Sequence, residues 1–487
     1  MTTQRSHTVQ ASNTNSSHHA QHEAKSSKRS AESHITRPVP AAERHGKPFS
    51  QFTLWLGGNL QITAIVNGAL AVVFGVHPAY AILGLLIGNL LGATFTALHA
   101  GQGSRFGLPQ MILSRAEFGI YGAMIPLVLI VLMYLGFAAT GSVLAGQAVN
   151  MAFSIESKWV GILIFGGATI LVAIAGHRWI HKLSTISSWF GFAMLAYITI
   201  QIFRDFDVPA LFNSPQFNLP MFLLAMSLSA GWQLTYSPYV ADYTRFLPED
   251  TSRTKIFWCT FGGLVTGSQL SMMLGVVLAA LPTAAEEGFM ENQVGFMGTL
   301  AGGGLIALAV YLIIFTGKLC VNTLNAYGGT ITILTTVSAF VDHNRVNERM
   351  RSAVVTTFIT ISVLIALFAS RGFLDNFKNF ILLLLTVFTP WNAINLVYYF
   401  IISKGYLCID ELFDPQGRYG LWNIPCLVTY AIGVAVQIPF LNTTLYTGPM
   451  VEYLDGADIS WIIGLLVPGV IFATWGRKAL ASHLRTP

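Results

Sequence analysis

Charge is scarce in this chain. Asp, Glu, Lys and Arg make up 10% of its 487 residues, against about 25% in soluble globular domains. That scarcity excludes an ordinary soluble protein, because the long apolar runs between the charges have no water-facing counterpart. Cysteine is also rare: Cys259, Cys320, Cys408 and Cys426 all fall in or beside apolar runs. They show neither metal-ligand spacing nor a disulfide framework. A P-loop, a G-x-S-x-G elbow, an H-E-x-x-H helix and a Cys/His cluster are all missing, so neither ATP hydrolysis nor other bond chemistry is expected. The reading is therefore not an enzyme, with no cofactor and no metal. Before residue 48 there is no apolar stretch of signal-peptide type, so no cleaved leader is expected.

Apolar residues are abundant instead, at 53%. They gather into windows of membrane-spanning length: 51–73, 79–100, 120–148, 159–176, 184–203, 219–240, 257–281, 300–325, 351–370, 377–402, 423–441 and 458–475. Twelve spans in one domain over 48–480 follow, preceded by a polar tail over 1–47. The tail is rich in Ser, His, Gln and Lys, and this composition predicts disorder. His18, His19 and His22 are read as part of that solvated tail rather than as a metal site.

Lys and Arg concentrate in the tails and in alternate loops, among them Arg105, Arg115, Arg178, Lys182, Arg245, Arg253, Lys255, Arg345, Arg349 and Arg351. By the positive-inside rule, both termini are expected in the cytoplasm and the protein in the cytoplasmic membrane. The net charge of +5 is then a topology signal, with no nucleic-acid partner implied.

Two spans carry helix breakers and amides at mid-depth. The first reads WLGGNLQITAIVNG, with Gly57, Gly58, Asn59 and Gln61; the sixth reads LSAGWQLTYSP, with Gly231, Trp232, Gln233 and Pro238. Gly and Pro weaken a helix interior. In a bilayer, breaks persist only where the freed backbone groups meet a cavity or a ligand. Two broken helices five spans apart predict a five-plus-five inverted repeat with a site near the midplane. The plainer alternative, glycine for close packing, suits the second span, where Gly84, Gly88 and Gly92 form a stripe.

The residues expected to carry the work lie around those breaks. Trp232 offers a flat apolar wall, and Tyr134 in the third span offers a facing ring. Asn322 and Asn325, three residues apart on the eighth span, share a helical face. Two carboxamides supply the donors and acceptors that the edge of a heterocycle needs, though asparagine also serves interhelical bonding. Gln61 and Gln233 are polar wall candidates, and Gly231 supplies close backbone approach. Lys318 is a cation within the eighth span, costly in hydrocarbon. It is read either as a coupling group, received by unwound carbonyls of the first span, or as a lysine snorkelling to the outer interface. Asp242 and Arg245, where the sixth span meets water, form a gate or an anchor for the inner loop, or else a plain helix end.

GWQLTYSPYVADYTRFLP, VNTLNAYGG and PWNAINLVYYFIISKGY resemble segments of the nucleobase-cation-symport-1 family, and most of all its purine–cytosine permease branch. The resemblance covers about residues 48–480 and implies an all-α membrane protein of LeuT-like fold. It has twelve helices, the first ten in two inverted repeats with helices 1 and 6 broken. It also implies alternating-access symport of a nucleobase or related heterocycle, cytosine or a purine, with Trp232 packing on the solute and Asn325 touching it. Asn322 matches the first Asn of the family's N-x-x-N-x-Y pattern.

There are departures from the family pattern. Tyr134 and Ala138 stand where many members carry an aromatic and, four residues on, Gln or Asn. Leu319 and Cys320 stand where a sodium-coupled hydantoin transporter carries Ser and Thr, so a proton is favoured over Na⁺ as coupling ion. Tyr398 replaces an acid in the tenth span. The rival readings are a sodium-coupled hydantoin, allantoin or thiamine permease and, from other classes, a channel or a receptor that binds without transporting. The oligomeric state is left open.

Overall fold

The computed structural model describes residues 37–175, 177–286, 288–338 and 348–480. Every apolar window read from the sequence falls on a helix. The helices are α1 (Phe49–Asn59), α2 (Ile62–Val73), α3 (Pro78–Phe106), α4 (Gln110–Leu113), α5 (Arg115–Phe118), α6 (Met124–Phe153), α7 (Lys158–Ala175), α8 (His177–Asp205), α9 (Leu219–Leu234), α10 (Val240–Thr244), α11 (Arg253–Ala280), α12 (Gly304–Ser338), α13 (Glu348–Ala369), α14 (Phe373–Val397), α15 (Ile424–Ala435) and α16 (Ser460–Ile471), besides a helix over Gln293–Leu300 and shorter turns. Among the described residues, seven helices are long and apolar enough to cross a membrane, or eight with the bent pair α1–α2 taken as one span.

Both expected breaks are present. The axis turns by 61° between α1 and α2, where Leu60 and Gln61 leave helical conformation. Gly57, Gly58 and Asn59 stay inside α1. In the sixth span, Gly231, Trp232 and Gln233 likewise stay helical, and the chain breaks after Leu234 through a turn containing Pro238 before α10 begins. Each break thus falls a few residues beyond the glycines. Helix ends elsewhere follow local chemistry. Asn218 caps α9 by accepting from Met221 N at 3.1 Å, with Pro220 in the first turn, and Asn423 caps α15 in the same way.

The helices sort into two packed groups. One joins α1, α2, α3, α9 and α11, and the other joins α6, α7, α12 and α13; α14 lies beside α9 and α16. Small residues set the spacing within the first group. The Gly84–Gly88–Gly92 stripe of α3 lies directly on α9, where a Cβ on Gly84 would come within 2.9 Å of the Ala225 Cβ and one on Gly92 within 2.7 Å of the Gln233 Cβ. Gly68 and Gly275 make the matching close approach where α2 crosses α11. The pairing of spans 2 with 6 and 1 with 7 is that of an inverted repeat.

The tail boundary differs from the expected 47. Val39 is buried and donates its N–H to Gly107 O at 2.9 Å, and Arg44 reaches Val39 O and Ser104 O. Residues 1–36, with His18, His19 and His22, lie outside the described residues, as do Arg345 and the side chains of Arg178 and Lys182.

Candidate functional site

A break inside a membrane leaves backbone carbonyls without helical donors. At the first break side chains fill the gap. Asn59 Nδ2 donates to Trp55 O, Gln61 Nε2 to Gly58 O and Ser271 Oγ to Asn59 O, each at 2.8 Å. At the second break Thr235 Oγ1 donates to Trp232 O at 2.7 Å and Thr96 Oγ1 to Gln233 O at 2.8 Å.

Asn59 also ties the two breaks together. Its Oδ1 accepts from Trp232 Nε1 at 2.7 Å, Ser268 Oγ at 2.8 Å and Tyr236 OH at 2.9 Å. Sequence reasoning noticed Asn59 as a mid-span amide but did not count it among the working residues. Nothing in the sequence shows that three donors from elsewhere in the chain converge on one oxygen.

Trp232 is fully buried and lies in a continuous group of rings. Phe137 meets it edge-on at 5.6 Å, and Tyr236 at 6.1 Å. Tyr236 continues to Tyr239 at 5.9 Å and to Trp55 at 5.2 Å. Tyr134, expected to face Trp232, instead pairs with Tyr239 at 5.7 Å. The ring directly against Trp232 from α6 is Phe137, one turn further along. Phe137 in turn meets Phe380 of α14 at 5.2 Å. Behind Phe380, between α6, α13 and α14, lies a cavity of about 430 Å³ lined by Gly136, Thr140, Phe377 and Asn376 among others. That volume is within the range of small-molecule pockets.

The two asparagines of α12 have different surroundings. Asn322 is buried and donates to Ala138 O at 2.8 Å and Ser142 Oγ at 3.1 Å, which ties α12 to α6. Its Oδ1 has no partner. Asn325 is half-buried and makes no hydrogen bond to any described residue. One turn further on, a Cβ on Gly328 would come within 2.8 Å of the Tyr134 ring. Asn325 therefore presents a free carboxamide one turn from Tyr134, on the same side of α12.

Lys318 is buried, 3% exposed, so it does not snorkel to the outer interface. Its Nζ donates to Thr63 Oγ1 at 2.6 Å and to Gln61 Oε1 at 3.1 Å. The expected receivers were unwound carbonyls; the actual ones are side-chain oxygens flanking the break. Among the described residues no carboxylate pairs with it. Gly141 of α6 makes room for this arrangement, since a Cβ there would lie 2.9 Å from Lys318 Cε and against Asn322 Oδ1. Next to Lys318, Leu319 packs among Ala145 and Phe165, and Cys320 is buried.

Gln233 and Gly231 are turned away from this centre. Gln233 Nε2 donates to Asn89 Oδ1 at 2.9 Å and to Leu264 O at 3.3 Å. Gly231 lies against α14, where a Cβ would meet Ile381 Cγ2 at 3.0 Å. Asp242 is half-buried and accepts from Gln110 N at 2.9 Å, which ties the end of the sixth span to the connection after α3.

The assembly is thus a cluster of buried and half-buried rings between two helix breaks, with one carboxamide unpartnered among the described residues and one hydrogen-bonded lysine nearby. Residues 38–464 match the family described as permeases for cytosine/purines, uracil, thiamine and allantoin. The chain belongs to this permease family. YxlA of Bacillus subtilis (strain 168), provisionally named a purine-cytosine permease, is 36% identical to the permease over 435 residues, covering 89% of this chain and 93% of its own. The purine-cytosine permease fcyB of Emericella nidulans is 28% identical over 455 residues, covering 88% and 84%. In fold, the permease resembles the inward-facing conformation of Mhp1, with a TM-score of 0.74 at 18% identity over 92% of this chain and 97% of that one. A closed conformation of Mhp1, described as a nucleobase-cation-symport-1 family transporter with bromovinylhydantoin bound, superimposes with a TM-score of 0.68.

Proposed function

We propose that this permease imports a neutral planar nucleobase, cytosine or a purine, by secondary active symport with protons, in the cytoplasmic membrane and with its N-terminal face toward the cytoplasm. The observation that carries the reading is the unpartnered Asn325 carboxamide beside the Tyr134–Tyr239–Tyr236–Trp232 rings. An aromatic face accepts a base by stacking, worth about 1–3 kcal/mol per base, and a free amide supplies paired donor and acceptor to its edge. The names of its relatives support the same solute class. Trp232, held by Asn59, is read as the wall of the binding region; opening of the Phe137–Phe380 contact would expose it to the cavity behind.

Coupling is assigned to Lys318. Its ammonium fills the space beside the first break and occupies the oxygens of Gln61 and Thr63 that a bound Na⁺ would need. Leu319 and Cys320 add no hard oxygen ligand. In this reading a resident ammonium replaces sodium, and Nζ exchanges a proton during the cycle.

Thermal stabilisation of the purified protein tests the proposal, because a ligand bound to the native state raises apparent stability. Nucleobases, hydantoins, allantoin and thiamine are compared with and without Na⁺ at two pH values. Stabilisation by cytosine or a purine that ignores Na⁺ is expected. A shift confined to hydantoins, allantoin or thiamine, or one requiring Na⁺, replaces this reading with a sodium-coupled permease of those solutes. Accumulation of radiolabel against a gradient in proteoliposomes separates a carrier from a channel or a receptor.

A further inference from the structure

On the N-terminal face, away from the aromatic cluster, a buried carboxylate ends a chain of carboxamides. Glu117 lies on α5, in the connection between α3 and α6, and is 1% exposed. Its Oε1 accepts from Asn395 Nδ2 of α14 at 2.6 Å. Asn395 Oδ1 accepts from Gln102 Nε2 of α3 at 2.8 Å, and Gln102 Oε1 accepts from Gln110 Nε2 of α4 at 3.0 Å. The Gln110 backbone N–H then donates to Asp242 Oδ1 of α10 at 2.9 Å. Four hydrogen bonds therefore tie the second span, the connection after it, the far half of the broken sixth span and the tenth span.

The polarity of this chain is set by its end. An ionised carboxylate only accepts, so Asn395 must turn its NH₂ toward Glu117, and this obliges Gln102 and Gln110 to point the same way. The far end stays unbalanced in this state, since Gln110 Oε1 is buried without a partner. A proton on Glu117 Oε1 makes that atom a donor. Asn395 then presents its oxygen and the carboxamides of Asn395, Gln102 and Gln110 reverse in series, whereas a proton on Oε2 leaves Oε1 accepting only a neutral bond. The charge-assisted bond, roughly twice as strong as a neutral one, is lost in the same event.

No lysine or arginine forms an ion pair with Glu117 among the described residues. The titratable neighbours are Arg115 on its own helix, Tyr398 after α14, Cys426 of α15, Asp242 through the amide chain and His99 through Trp391. Arg115 is directed elsewhere, over the Phe413 ring and toward Leu412 O. His99 stacks on Trp391, whose Nε1 donates to Ser114 Oγ. Tyr398 and Cys426 are neutral in the physiological range and bring no countercharge. Burial raises the Glu117 carboxyl to about 7, against the bond from Asn395.

We propose that Glu117 is a proton-binding latch: ionised, it holds α3, α10 and α14 together on the N-terminal face, and proton uptake from that side loosens the tie and speeds opening there. The proposal rests on the transport reading and on the orientation given above. The added step is one proton from water to a carboxylate, giving a neutral carboxyl.

Two measurements test it. In proteoliposomes, the maximal rate of solute counterflow is followed with both sides held at the same pH, about 6 or about 8, either side of the Glu117 carboxyl, so that no proton gradient drives it. A several-fold higher rate at the lower pH is expected for the native protein and for Glu117→Asp. In Glu117→Gln, which has the same shape but no titratable group, that several-fold step between the two pH values is lost. A purely structural role for Glu117 would lower the rate of Glu117→Gln while leaving its pH profile unchanged, and that result overturns the proposal. The second measurement needs no transported solute. An infrared pH titration of the full chain in detergent should show a carboxyl band appearing near neutral pH that is absent from Glu117→Gln at an unchanged melting temperature. If no such band depends on Glu117, the latch is wrong even if transport is confirmed. If the band is present while no base is transported, the transport reading fails and proton binding at Glu117 stands.

Discussion

Lys318 Nζ lies 2.6 Å from Thr63 Oγ1, joining two helices whose residues are separated by more than half the chain. One end of this contact stands on α12, in one packed group, and the other just past the break that begins α2, in the other group. An ammonium in hydrocarbon costs at least about 2.5–3.5 kcal/mol. The two side-chain oxygens on the far side of the site offset part of that cost. The pair is therefore both a structural fastener and the natural place for a transported charge to act.

Removing that charge separates the two roles. Lys318→Met keeps the length of the side chain but leaves Thr63 Oγ1 and Gln61 Oε1 without their donor, a cost of about 1–3 kcal/mol set against the relieved burial of the charge, so the melting temperature should change little. Solute-driven uptake should lose its dependence on the proton gradient, while binding measured by thermal shift persists. Gradient-dependent accumulation in folded Lys318→Met would remove Lys318 from the coupling scheme.

The two asparagines of α12 should respond in opposite ways. Asn322→Ala removes two bonds to α6 and should lower stability by about 1–3 kcal/mol. Asn325→Ala removes no internal bond, so its melting temperature should stay close to native while the apparent affinity for the base falls at least about tenfold, the equivalent of 1.4 kcal/mol. Equal destabilisation by both changes would show that Asn325 also serves packing.

Trp232 combines a bond with a surface. Trp232→Phe keeps an aromatic face but forfeits the donor to Asn59 Oδ1, which retains Tyr236 and Ser268. The expected loss is about 1 kcal/mol, with base binding weakened but measurable. Trp232→Ala opens a cavity costing about 3–5 kcal/mol and should abolish binding. Denaturation midpoints read beside ligand-induced shifts distinguish the two; normal binding by Trp232→Ala would place the solute elsewhere.

Close packing in the first group can be tested away from the site. A side chain at Gly88 runs into Met226 O and Ser229 Oγ of α9, so Gly88→Val should destabilise the protein by about 1–3 kcal/mol or more. Gly57→Ala, where a Cβ meets nothing within 4 Å, should be neutral in the same assay.

These contrasts show what could be read from the sequence. The spans, both broken helices and the glycine stripe of α3 follow from local signals: apolar length, Gly and Pro, and small residues at a spacing of four. Gly57, Gly58 and Gly231 stay helical because neighbouring helices hold them so, while the second break comes at the turn containing Pro238, a breaker that the sequence marks. The partners were not legible. Lys318 stands out as a buried cation, yet Gln61 and Thr63 lie 257 and 255 residues away in sequence. Asn59 shows in the sequence only as a mid-span amide and Glu117 carries no local mark, because their importance comes from groups that only the tertiary fold brings to them. The same holds for Gln233, whose Nε2 donates to Asn89 and Leu264, partners far away in sequence.

The glycine seams of α3 with α9 and α2 with α11 leave no flexible side chain between those helices to absorb a shift. The five-helix group should therefore tilt like a stiff beam, and a beam needs an axle. Points at either end of such a beam travel far, while points near its fulcrum barely move. The Lys318–Thr63 contact, near mid-length of α12, sits where a fulcrum would be. A hydrogen-bonded charge at that position can keep its partners while both ends swing, so access can alternate without tearing the Lys318 ammonium from its oxygens.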